Sequence, residues 1–223
     1  MRTRKLITGA FLLGLLLIFT SASKGDKETE KLRDANSVLQ DFGNLKESIP
    51  HDLISQYQGI VIVPNLINAG IGIGGKRGKG IAIVKLDDGT WSNPVFVTLT
   101  GGSIGPQIGI QSVDLVLVFR HKGVLTEVKK GDFTIGGDIS ATAGPVGRST
   151  SANTDYKLEA EVYSYSRSRG LFAGISINGS NLAIDNTANN NFYGDGANAQ
   201  DIFANSKSTN KAVNDIKTTL AGL

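Results

Sequence analysis

Apolar residues in positions 26–47 recur at Leu32, Ala35, Leu39 and Phe42, spaced by three and four with charged residues between them. That period predicts an amphipathic helix docked by one face on a core. Ser48 before Pro50 opens a second, short helix through Leu53, Ile54 and Tyr57, and Gly59 ends it. From Gly59 the texture changes to short β-branched runs punctuated by glycine: GIVIVP, IGIGG, IAIVKL, PVFVTLT, QIGIQ and DLVLVF. These read as short strands joined by turns, with Asp88-Gly89 the strongest hairpin signal. HKGVLTEVKKG, residues 121–131, predicts one or two helical turns with Val124, Leu125 and Val128 on one face, and strands resume in FTIGGDISATAG. In residues 156–169 alternation is strict: Leu158, Ala160 and Val162 on one face oppose Tyr163, Tyr165, Arg167 and Arg169 on a polar outer face. The C-terminal part is rich in Asn, Ala and Asp, and its helical spacing at Ala212, Val213, Ile216 and Leu220 predicts two or three small helices.

The elements define an α+β fold: a mainly antiparallel, strongly curved or barrel-like β-sheet with an N-terminal amphipathic helix and small C-terminal helices. Four segments follow: 1–23, a helical segment 24–58, a β-rich domain 59–206, and a C-terminal helix or tail 207–223. The first carries Arg2, Arg4 and Lys5, then an apolar run from Phe11 to Phe19, then small residues. That is the pattern of a secretory signal peptide, and the apolar run is shorter than the roughly 20 residues of a spanning helix. The expectation is an exported, periplasmic or extracellular protein. The chain has no cysteine, so it has neither disulfides nor a lipobox thiol.

Charge changes the picture once the first segment is set aside. The 23 Lys and Arg against 20 Asp and Glu become 20 against 20 without residues 1–23, which argues against nucleic acid as a partner. Residues 59–180 keep a local excess, 12 basic against 9 acidic, so an anion-binding surface belongs there.

AGIGIGGKRGKG, residues 69–80, matches G-x-G-x-x-G and most of a P-loop, but Arg77 stands where the magnesium ligand belongs and a strand pattern follows instead of a helix. The expectation is a hairpin with Gly74 to Gly80 as its turn. Gly101 to Gly105 matches the G-x-S-x-G elbow around Ser103, yet Pro106 and another strand pattern follow, and only His121 lies downstream. With no cysteine and only His51 and His121, no metal site or cofactor is expected, and nothing argues for an enzyme. What remains is three glycine-flanked basic groups: Lys76, Arg77 and Lys79; Arg148; Arg167 and Arg169. Arginine forks and exposed amides at glycine turns suit phosphate.

The ordered segments GIVIVPNLINAGIGIGGKRGKGIAIVKLDDGTWSNPV, IGPQIGIQSVDLVLVF, GGDISATAGPVGR, YSYSRSRGLFAGISINGS and NNNFYG resemble the SYLF domain family from about Leu32 to Phe203, most specifically over Tyr163 to Gly174. The resemblance implies a non-enzymatic domain that binds anionic lipid headgroups of the phosphoinositide type, with an amphipathic N-terminal segment aiding membrane contact. The eukaryotic members are actin-associated adaptors; this chain shows no SH3 or FYVE pattern, and with an export signal actin binding is not carried over. In an envelope the acidic lipid is one other than phosphoinositide. The competing expectation is an envelope structural or protein-interaction module that packs its Tyr163 to Arg169 face on a partner.

Overall fold

The computed structural model describes residues 25–44, 49–126, 132–144, 160–168, 171–172 and 176–223. In chain order the elements are α1 (Asp26–Asn44), α2 (His51–Gln56), β1 (Gly59–Val84), β2 (Val95–Phe119), α3 (Gly123–Thr126), β3 (Asp132–Ile135), β4 (Ala141–Ala143), β5 (Val162–Ser168), β6 (Leu171–Phe172), β7 (Ser180–Ile184), α4 (Asn186–Tyr193), α5 (Ala199–Phe203) and α6 (Lys211–Gly222).

The expected run of short strands is corrected to two long ones. β1 and β2 pair antiparallel from Gly59 opposite Phe119 to Ala82 opposite Val95, and the Asp88-Gly89 turn joins them, as its sequence predicts. Asp88 Oδ1 accepts from the Thr90 amide at 2.9 Å and its hydroxyl at 2.7 Å, and Gly89 takes φ +81. Gly74 to Gly80 is strand as well, running from Gly74 opposite Ser103 to Gly80 opposite Val97. A glycine with nothing to pack still carries its amide and carbonyl, so the ladder passes through it.

The chain reverses in another way: the whole ribbon is creased. Register slips between Ile71 and Ile73, and Gly70 and Gly74 lie so close that a Cβ on Gly70 would stand 2.5 Å from the Gly74 Cα. Beyond the crease the two halves of β1 face each other. A Cβ on Gly80 would run into the Ile62 carbonyl, and at Gly78 it would meet Val63 and Leu66. A second slip lies between Val63 and Leu66, where Asn65 takes φ +50 and its amide donates to Asp114 Oδ1 at 3.1 Å. Bulges of this kind bend a strand and raise its twist.

Among the described residues β2 is the spine of a seven-stranded sheet. Its first half pairs with β7, which carries β3, and its second half pairs with β5, which carries β4 in parallel and β6. The result is a mostly antiparallel half-barrel. Both ribbon faces are buried away from the crease, where the two ends of the folded ribbon stack, which is why GIVIVP is apolar without alternation. Ile60, Ile62, Ile81, Ile83, Val116 and Val118 pack under the helices, while Val61, Val63, Leu66, Ala82, Leu115 and Leu117 form the core between the halves.

α1 buries the expected Leu32, Ala35, Leu39 and Phe42, and α6 the expected Ala212, Val213, Ile216 and Leu220, in one helix-covered cluster. Tyr57, Tyr163 and Tyr165 belong to that cluster. The polar outer face expected for β5 is therefore corrected: alternation holds, but α1 and α2 supply a second layer. Tyr57 Oη donates to the Ala160 carbonyl at 2.8 Å, and burial, with Tyr163 beside it, pushes its phenol up to about 12. α3 is a single turn with Leu125 buried, and Val128 lies outside the described residues.

Candidate functional site

The basic groups singled out from sequence have separate fates. Arg148 and Arg169 lie outside the described residues. Arg167 is 12% exposed, bound to Asp41 at 2.7 Å and Asp114 at 2.9 Å, with its guanidinium 5.6 Å from the Phe42 ring. Burial works against its charge, but the two carboxylates outweigh that and hold its pKa up. It clamps α1 to the sheet.

Lys76, Arg77 and Lys79 do fall together on β1, though on alternating faces. Lys76 points inward, buried, and donates to the Ser176 carbonyl; burial lowers its pKa. Arg77 and Lys79 share the outer face, Arg77 exposed and Lys79 paired with Asp185 Oδ2 at 2.8 Å. Asp185 also caps α4, its Oδ1 accepting from the Ala188 amide at 3.0 Å. Burial pushes the Asp185 carboxyl up, but Lys79 and the Ala188 amide outweigh it and hold it below its usual value.

A carboxylate with a depressed folded pKa contributes stability that is present above the unfolded value and lost as pH falls through the folded one. Asp185→Ala is therefore expected to cost about 1 kcal/mol at neutral pH, mostly the cap, with the half-exposed Lys79 pair adding little. Urea midpoints should show the gap closing below about pH 4.

The outer face that carries Arg77 and Lys79 is continuous with the helix-covered face at Ile81 and runs outward through Gly75 to Ile73. There the helices no longer cover it. Ile73 is 79% exposed, Ile71 and Ile110 are each 78% exposed, and Ile67 is 42% exposed. Residues 69 and 71 stand opposite 110 and 108, so these isoleucines gather around the crease. The expected hairpin with its turn at Gly74 to Gly80 does not point to this exposed cluster. The available signal was isoleucine alternating with glycine in a ribbon with no Asp or Glu from Gly59 to Leu86 or from Gly89 to Val113.

Ser103 stands inside β2 opposite Gly74, with strand on both sides, so it is no nucleophile elbow, and the glycine motif at 70–75 opens no helix. Among the described residues no group of three or more His, Asp or Glu is placed to hold a metal, and no helix is long and apolar enough to cross a membrane. A cavity of about 400 Å³ between α3 and α5 is lined by Leu125, Asn190, Asn198, Phe203 and other residues, none of them titratable.

Together these features define a class: an α+β half-barrel built on a creased ribbon, whose exposed chemistry lies on an outer strand end. Residues 100–223 match the family model described as Ysc84, Las17-binding protein actin regulator. The chain belongs to that family, the SYLF domain family. It is similar to LAS seventeen-binding protein 3 of Saccharomyces cerevisiae, 35% identical over 159 residues, covering 70% of this chain and 34% of that protein. Against SH3 domain-containing YSC84-like protein 1 of Homo sapiens it is 34% identical over 181 residues, covering 81% of this chain and 52% of the relative. Protein YSC84 of Saccharomyces cerevisiae is 32% identical over 185 residues, covering 82% and 39%. The chain thus spans between a third and about half of these relatives' lengths.

Proposed function

We propose that this chain is a non-enzymatic module that binds anionic lipid headgroups at a membrane surface, exported by the signal peptide of residues 1–23 and peripheral on the membrane it meets. The observation that carries this reading is the charge of the ribbon: β1 holds Lys76, Arg77 and Lys79 without a single carboxylate, and Arg77 projects to solvent. The bordering carboxylates Asp114 and Asp185 are occupied by Arg167 and Lys79. A negative surface meeting this face finds Arg77 exposed and Lys79 half-exposed beside its partner Asp185. Arg148 and Arg169 stay in the proposal as further headgroup contacts.

Arg77 is the cleanest test because no ion pair among the described residues depends on it. Arg77→Gln is expected to weaken binding to vesicles containing phosphatidylglycerol about fivefold, as one cation near an anionic surface contributes about 1 kcal/mol. Unchanged binding across a salt titration contradicts the assignment.

The family description favours a second reading, a protein-interaction module without a lipid ligand, since it names Las17 binding and actin regulation. A stoichiometric protein partner recovered from the envelope, together with no vesicle binding, supports that reading over the first.

A further inference from the structure

We infer that the crease of the β1–β2 ribbon is a membrane-inserting tip, with Ile71, Ile73 and Ile110 entering the acyl boundary while Arg77 and Lys79 stay among the headgroups. The inference rests on the lipid-surface reading above and adds a depth and a set of residues to it.

Three isoleucines at 78%, 79% and 78% exposure on adjoining strands form an apolar face that none of the described residues covers. A soluble domain rarely leaves such side chains clustered in water without a use. The occupant follows from size, shape and charge. The patch is on the order of a few hundred Å², well short of the roughly 800 Å² per partner of a stable protein interface. It is the outer end of a bent ribbon, opposite the inner side on which Gly70 and Gly74 press together.

Charge is arranged along the strand direction. Ile73, Gly75, Arg77 and Lys79 share one face in continuous register, which puts Arg77 about 13 Å behind Ile73 at the usual strand rise. An apolar end followed by cations, in a stretch without acids, matches the order of acyl chain and phosphate at an anionic bilayer surface. The ladder pairs Ala69 with Ile110, Ile71 with Ile108 and Ile73 with Ile104, so the backbone groups that face across the ribbon are already paired. Those on its two edges need water or headgroup partners, which limits insertion to the acyl boundary.

The test uses the absence of cysteine, which makes Ile73→Cys a unique attachment point for an environment-sensitive fluorophore. With phosphatidylglycerol vesicles the label is expected to shift to the blue and to be quenched by lipids brominated on the acyl chain. The triple variant Ile71→Ser, Ile73→Ser, Ile110→Ser, at positions outside the core, is expected to keep its thermal midpoint and lose about a hundredfold in vesicle affinity. Vesicle binding unchanged in the triple variant, or a bound protein whose label still reports water, overturns insertion and leaves the headgroup reading standing. No vesicle binding by the unsubstituted protein overturns both. A blue shift that rises with protein concentration without vesicles assigns the tip to a second copy of the chain and overturns insertion.

Discussion

Gly80→Ala is expected to lower the unfolding free energy by about 3 kcal/mol, the upper end of what overpacking a tight contact costs. A Cβ at Gly80 points into the Ile62 carbonyl and would stand 2.9 Å from the Val63 Cα, so the obstacle is backbone on both counts and no rotamer change relieves it. The two halves of β1 must separate, and the core between them, with Val61, Val63 and Leu66 on one half and Ala82 and Val84 on the other, opens with them. Gly102→Ala is the control: it lies in the same ribbon, in β2 opposite Gly75, and a Cβ there meets nothing within 4 Å. That substitution should be neutral or slightly stabilising through the unfolded chain. Urea titrations read both, and equal midpoints would mean that the halves of β1 do not press together as described.

Phe42→Ala is expected to cost about 3–5 kcal/mol, as for truncation of a fully buried aromatic ring. Phe42 is 0% exposed in the cluster beneath α1 and α6, and the Arg167 guanidinium lies 5.6 Å from its ring centroid. The resemblance offered α1 as a membrane-contacting amphipathic segment, whereas Leu32, Ala35, Val38, Leu39 and Phe42 are all committed to the core. The loss should therefore appear in lipid-free solution. A Phe42→Ala protein as stable as the parent without lipid would return α1 to the role of a free amphipathic helix.

Local patterns are legible in the sequence where one element decides them. The three- and four-residue spacing from Leu32 to Phe42, the same spacing from Ala212 to Leu220, and the Asp88-Gly89 turn each depend on neighbours a few residues away. Strand length was not legible, because glycine punctuates a chain in most contexts. In this ribbon Gly78 and Gly80 are selected by residues 62–66, a contact no local window contains. The fate of Tyr163 and Tyr165 was hidden for a related reason: alternation gives the two faces of β5 but not the helical layer that covers one of them.

The site was legible in part. Lys76, Arg77 and Lys79 were visible as a basic group, but their alternation within a strand, which turns Lys76 inward and leaves Arg77 out, follows only once β1 is known to be continuous. Arg167 was read as a surface cation and is a clamp, since Asp41 and Asp114 approach it from distant parts of the chain. The exposed isoleucines at the crease carry no sequence motif. Their meaning comes from where the helices stop.

Flotation of the purified protein with vesicles tests the central claim most directly, comparing neutral phosphatidylcholine with a mixture rich in phosphatidylglycerol at low and at high salt. Binding to the acidic vesicles at low salt, weakened as salt rises and weaker still for Arg77→Gln, is the predicted result. Equal recovery with neutral and acidic vesicles, or no recovery with either, would contradict a surface built to meet anionic lipid.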